Sequence, residues 1–419
     1  MGLRTSALAN GVTVVSHDMP HLKTVSLGIY VKAGARSERE SENGIAHLLE
    51  HMAFKGTERR SARQIAEEIE SAGGEMNAAT GMESTAYYAR VLKEDLALAM
   101  DVLSDILIHP VFQAPELERE REVILEEISA AEDTPDDLVF DLLHEAAYPD
   151  QPLGRPILGT SDRVMNFSAS DIIKFRDAHY SGNRIVVAAA GAVNHDALVT
   201  QAEVFLGGLR AVPTAEWTKA SFVGGIRTAT KPLGQVHVVL SFPAMGYRDE
   251  NIYTLQILSG LLGGGMSSRL FQDVREARGL CYSIFSFASA FDDTGIFGVY
   301  AATSPRRVDE LLNVTADTLT NISEQVTEQE IARSRAQLKA SLVSALESSS
   351  ARADQIARQQ LVFGRIPEMD ELVSRVEAVD MDAVARLAKR LFHGTAPAVG
   401  AVGALENLAT YDNIAERFA

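Results

Sequence analysis

Cysteine is almost absent from this chain: Cys281 is the only one in 419 residues. No disulfide can form within the chain, and a lone thiol fits a reducing compartment, where it reads as a buried or incidental group rather than a nucleophile. Long apolar runs are absent too, so no segment offers the roughly 20 residues that cross a bilayer. The N-terminus carries neither a charged-then-apolar signal nor an Arg/Ser-rich amphipathic presequence. Positive charge is in deficit, with 39 Lys and Arg against 57 Asp and Glu, a net −18. That balance disfavours nucleic acid and anionic membranes and favours cationic ligands. The glycines at 263 to 265 are followed by no Gly-Lys-Ser/Thr, and the G-x-G-x-x-G spacing breaks at Ser268, which removes a nucleotide cradle. His144-Glu145-Ala146-Ala147-Tyr148 begins like H-E-x-x-H but ends in tyrosine.

What is present is His47-Leu48-Leu49-Glu50-His51, an H-x-x-E-H run. A helix over 44 to 55 places His47, Glu50, His51 and Phe54 in one stripe and Ile45, Leu48, Leu49 and Met52 in another, so one face is built for a core and the other for a site. Imidazoles at i and i+4 can close on one Zn²⁺, and a carboxylate beside the metal can take a proton from water and pass it on. The order reverses H-E-x-x-H, as in inverted zincins. A catalytic zinc needs a third protein ligand. The acidic stretch from Glu116 to Ile128 offers candidates on a helix that Pro115 starts and that Leu117, Ile124 and Ile128 would bury. Spacing does not choose among its glutamates.

His47 to Thr57 (HLLEHMAFKGT) followed by EREREVILEEI resembles the pitrilysin/insulinase family of metallopeptidases, most closely the β-subunits of mitochondrial processing peptidases and their bacterial relatives. The likeness extends to Gly154-Arg155-Pro156-Ile157-Leu158-Gly159 and to Asn183-Arg184-Ile185-Val186. It implies that Glu127, 76 positions after His51, is the third ligand, that Glu50 is the general base, and that Glu120 supports the site from outside the ligand set. The segments 74 to 80 and 84 to 90 read as a hairpin. By resemblance its first arm is an exposed edge to which an extended peptide adds as a strand, with Asn77 and Ala78 nearest the scissile bond. Arg275 and Tyr282 match the family's Arg-x6-Tyr element and would bind the substrate backbone. Asp137 and Asp141, at i and i+4, match the acidic positions that recognise a basic residue two before the cut, with Asp137 standing where the family has glutamate. Phe54 matches the pocket for an aromatic or bulky apolar side chain just after it.

The length allows two cores. Residues 61 to 73 and 267 to 279 share an opening Ser-x-Arg, apolar spacing and a closing glycine, so the halves read as degenerate copies. At an offset of 210, His47 and His51 fall on Ile257 and Leu261, so only the first copy can bind metal. The expected fold is α+β: two homologous domains, each a mostly antiparallel or mixed sheet layered with helices. The boundaries read as 1–213 for the zinc-binding catalytic domain, 214–233 for a linker and 234–419 for a second domain that contributes Arg275 and Tyr282. The expected activity is zinc-dependent cleavage of extended or presequence-like peptides. The alternative is a non-catalytic core or partner subunit of a processing-peptidase-like or respiratory complex. Family members enclose substrate between two such two-domain units, so a homodimer is the first expectation and a heterodimer with an α-like chain the second. A bacterial cytoplasmic location is expected first, a mature mitochondrial matrix protein second.

Overall fold

The computed structural model describes residues 2–213 and 217–419. Two compact units form, and neither is continuous in sequence. The first comprises Met1–Ser129, Pro156–Thr218 and Val343–Ile366, and the second Ala130–Arg155, Lys219–Leu342 and Pro367–Ala419.

In the first unit, β1 (Leu3–Ala7), β2 (Thr13–Asp18), β3 (Thr24–Val31), β4 (Glu75–Thr80), β5 (Thr85–Leu92) and β6 (Ile185–Gly191) make one sheet in the order β1-β2-β6-β3-β5-β4. Only β2 and β6 pair in parallel. Successive side chains of a strand point to opposite faces, and here both faces are covered. Val14, Leu27, Ile29 and Val187 join a core with helices α1 (Ile45–Ala53), α2 (Ala62–Ser71), α3 (Leu96–Ile108) and α4 (Ala114–Asp133). Their neighbours Val15, Tyr30, Val186 and Ala188 pack instead against Ile356 and Ala357 of the helix Ser349–Phe363. The β4/β5 hairpin sets Asn77 opposite Tyr88 and Ala78 opposite Tyr87, and β4 has no partner on its other side, so it is an edge.

The second unit repeats the plan. Its helix α5 (Pro135–Ala147) lies on a sheet of β7 (Gly225–Thr230), β8 (Val236–Ala244), β9 (Cys281–Ala290), β10 (Gly295–Thr303) and β11 (Ala398–Gly403), ordered β7-β11-β8-β10-β9. Taken in chain order, β7 to β11 reproduce β2 to β6 in position and direction, including the single parallel pair. The counterpart of α1 is the helix Ile252–Gly263, where Ile257 and Leu261 are 0% and 4% exposed. The positions that carry imidazoles in the first copy are core in the second.

The units do not follow the expected boundaries. Within the expected linker, residues 225–230 form β7, while 214–216 lie outside the described residues. Residues 130–155 belong to the second unit because α5 seats directly on β11. A Cβ at Gly400 would sit 2.5 Å from the Val139 carbonyl, so glycine is what permits the approach. Residues 343–366 belong to the first unit, where they cover the second face of its sheet.

Candidate metal and catalytic site

The site begins with how α1 is held. Gly44 precedes it at φ +96°, and a Cβ there would lie 2.8 Å from the Leu158 carbonyl. A Cβ at Gly159, at φ +79°, would lie 2.5 Å from the Asn43 carbonyl, so these two glycines let the segment around Leu158 lie against the helix start. The buried Glu38 carboxylate accepts the Gly44 and Ala46 N–H groups at 3.0 and 2.9 Å, satisfying donors that a helix start leaves open. Beyond the other end, Thr57 donates to Asp105 of α3 at 2.7 Å, and Arg60 reaches both Asp101 and Asp105. Ile45, Leu48, Leu49 and Met52 are at most 1% exposed. With that face packed and both ends fixed, the opposite face presents His47, Glu50 and His51 in one arrangement.

His47, His51 and Glu127 each offer a ligand atom, all within 4.8 Å of one another. Glu127 Oε2, from α4, lies 3.6 Å from both His47 Nε2 and His51 Nε2. Donors around a tetrahedral zinc with bonds of 2.0–2.1 Å stand about 3.4 Å apart, close to the two 3.6 Å separations from Glu127. Two imidazoles and one carboxylate are a donor set of catalytic zinc, and three protein ligands leave a fourth position open. Burial, and then the neighbouring His51, push the His47 pKa down to about 4, so its ring is neutral near pH 7 and its lone pair is free for a metal. His47 Nδ1 is buried with no hydrogen-bond partner. His51 Nδ1 stands 3.0 Å from Oε2 of Glu120, itself 4% exposed. An ionised carboxylate only accepts, so His51 donates through Nδ1 and keeps Nε2 for the ion. The other oxygen of Glu120 is 2.9 Å from Lys55 Nζ. The residues present fit zinc.

Glu50 lies on the same helix face, and Thr80 Oγ1 donates to its Oε2 at 2.5 Å. Burial raises the Glu50 pKa; the Thr80 hydroxyl and backbone N–H, with His51, work in the opposite sense. The result is a carboxylate poised to hold or release a proton on the helix face that carries His47 and His51. Phe54 caps α1 and packs on the core with its ring 6.4 Å from Tyr87. On β4, Ala78 is nearly buried and Asn77 exposed, and the Asn77 side-chain oxygen takes the Ala78 N–H at 2.8 Å.

The remaining expected residues belong to the second unit. Asp137 and Asp141 share α5, and burial followed by the charge of Asp137 raises the Asp141 pKa to about 6. The Arg275 guanidinium lies 5.0 Å over the Tyr282 ring and 4.5 Å over Phe271, while Tyr282, on the edge strand β9, is 78% exposed.

Residues 13–161 match the family model of insulinase, peptidase family M16, and 166–338 match that of the M16 inactive domain. An uncharacterized zinc protease of Bacillus subtilis is 38% identical over 385 residues, spanning 91% of this chain and 94% of that one. This chain belongs to peptidase family M16. Other relatives include an uncharacterized zinc protease of Rickettsia felis, 37% identical over 92% of this chain and 94% of its own. A probable mitochondrial-processing peptidase β-subunit of Arabidopsis thaliana is 35% identical over 99% of this chain and 81% of its own. Two solved structures share the fold at TM-score 0.89. One is a protease from Helicobacter pylori (23% identity, 96% and 99% of the two chains), and the other a chain of Candida albicans complex III2 (24%, 100% of each). The M16 model named inactive covers the helix in which Ile257 and Leu261 replace the imidazoles.

Three residues of this M16 site were not singled out from the sequence. Lys55 follows His51 by four positions and so continues its stripe. Thr80 follows Ala78 by two on β4, on the same face of the strand. Glu38 carries no local signal, because its role depends on a loop folding back onto α1.

Proposed function

We propose that this protein is a zinc endopeptidase that cuts extended peptides. The observation that carries the reading is the convergence of His47, His51 and Glu127, from two helices, to ligand-atom spacings that suit one ion. When bound, zinc supplies Lewis acidity, lowering the pKa of water and polarising a carbonyl. The chain's own residues do the rest. Glu120 holds the His51 ring with Nε2 turned to the site. Glu50 takes a proton from the attacking water and passes it to the leaving amine, and Thr80 holds its carboxylate in place.

Substrate adds to β4 as a further strand, exchanging its backbone groups for the Asn77 side chain that now occupies the Ala78 N–H. Pairing of this kind reads backbone rather than sequence, so side-chain preference comes from elsewhere. Asp137 and Asp141 favour a basic residue two before the cut, and Phe54 an aromatic or apolar residue after it. Arg275 and Tyr282 bind the substrate backbone and stabilise charge on the carbonyl oxygen. In this reading the first unit is the catalytic zinc-binding domain and the second a homologous domain without metal, and the working form is a homodimer in a bacterial cytoplasm. Among the described residues no helix is long and apolar enough to cross a membrane.

Glu50→Gln tests the reading. It is expected to retain zinc and to cut a mixed peptide pool at least about a hundredfold more slowly, the usual scale for a lost general base. Near-wild-type cleavage by this variant would refute the assignment.

A further inference from the structure

We propose that Lys55 is a positioning residue for the metal site, acting through Glu120 on His51. The inference rests on the zinc reading above and adds a member to it.

The geometry is a chain of three groups. Lys55 Nζ is 2.9 Å from Glu120 Oε1, and Glu120 Oε2 is 3.0 Å from His51 Nδ1. The Glu120 side chain is only 6% exposed and that of Lys55 31%, so the carboxylate is shielded while the ammonium keeps contact with water. A carboxylate taken out of water is costly unless each oxygen has a donor or a cation. His51 satisfies one oxygen through Nδ1. Lys55 satisfies the other and supplies the charge. Its place follows from the sequence: four positions after His51, just past the end of α1, it overlies the same helix stripe and meets α4 where Glu120 faces that stripe.

Two consequences separate this from a surface ion pair. With Lys55 present, both oxygens of Glu120 are tethered and the carboxylate cannot rotate, so the His51 ring keeps Nδ1 as donor and Nε2 toward the ligand triangle. Without it, one oxygen is stranded in a shielded place. The carboxylate turns toward solvent, and the ring is free to flip or change tautomer before an ion arrives. The loss then falls on metal affinity, although Lys55 touches no ligand atom.

The experiment is a double-mutant cycle on the full-length protein, with zinc affinity read by competition against a chromogenic chelator. The cycle uses Lys55→Met, Glu120→Gln and the pair, with Lys55→Arg beside them. Lys55→Met is expected to weaken zinc binding about 10- to 100-fold, the range for outer partners of a ligating histidine. In the Glu120→Gln background the same change is expected to cost little more, because the lysine acts through that carboxylate. Lys55→Arg is expected to restore most of the affinity. If Lys55→Met does not fold, Lys55→Gln carries the same expectation. Wild-type affinity in Lys55→Met, or a full additional loss on top of Glu120→Gln, overturns the proposal while leaving the zinc site intact. A wild-type protein that takes up no zinc overturns the metal reading itself, and this proposal with it.

Discussion

Replacing Thr80 by valine removes one hydroxyl from the site and little else. Valine has nearly the shape of threonine and equal liking for a strand, so β4 and its pairing with β5 should survive. What disappears is the 2.5 Å bond to Glu50. A hydrogen bond to a charged group contributes about 1.5–3 kcal/mol, which corresponds to a rate loss of roughly ten- to a hundredfold if the carboxylate must be both ionised and held to accept a proton. The sign of the pH effect is fixed by the opposing causes at Glu50. Burial raises its pKa and Thr80 pulls it back, so losing Thr80 leaves burial less opposed and moves the pKa further up. The acidic limb of kcat/KM therefore shifts to higher pH in Thr80→Val, and the rate deficit is largest on the acid side. Thr80→Ser, which keeps the hydroxyl, should follow the wild-type profile. The assay is cleavage of a fluorogenic peptide across pH with zinc content checked at each point. A Thr80→Val enzyme with an unmoved acidic limb and a rate within twofold of wild type would refute the role given to this bond.

In metal-free protein the His47 ring should titrate near pH 4, observed by ring-proton NMR; a midpoint near its ordinary 6.5 would contradict the burial argument. Because its folded pKa lies below the unfolded one, the unfolded chain takes the proton first, and metal-free stability should fall as pH drops from about 6.5 toward 4. The size is roughly 3 kcal/mol from this group, read from urea melts. Asp141, raised to about 6, should lose its charge as pH falls through that value. The preference for a basic residue two before the cut should fade there, and Asp141→Asn should abolish it at all pH; cleavage-site mapping that shows an unchanged preference would remove Asp141 from the subsite.

The site helix was legible because its information is local. An i, i+3, i+4 pattern of His, Glu and His against an apolar stripe states both the fold of nine residues and which face is functional. Glu127 was not legible in that way. Its helix carries several glutamates at similar spacing, and which of them meets α1 depends on how α4 crosses it, so the choice came from resemblance. β11 carries no local strand signal, because a fully buried run of alanine, valine and glycine shows no alternation. β7 falls within the expected linker because Gly224 and Gly225, at φ +84° and +126°, announce a turn where a short, partly exposed strand begins, and the pairing of that strand is supplied by β11, more than 160 residues later. The assignment of α5 and of the helix Ser349–Phe363 to their units was equally non-local. Each is an ordinary amphipathic helix, and only the sheet it covers says where it belongs. The repeat was visible in outline from two short segments and becomes complete at the level of strand order.

The central claim is that His47, His51 and Glu127 together hold one zinc ion. Metal analysis of exhaustively dialysed wild type, Glu127→Gln and Glu126→Gln tests it most directly, since Glu126 is the exposed neighbour one position earlier on the same helix. The account predicts one zinc per chain in wild type and Glu126→Gln, and close to none in Glu127→Gln. Stoichiometric zinc retained by Glu127→Gln, or lost in Glu126→Gln instead, would contradict it.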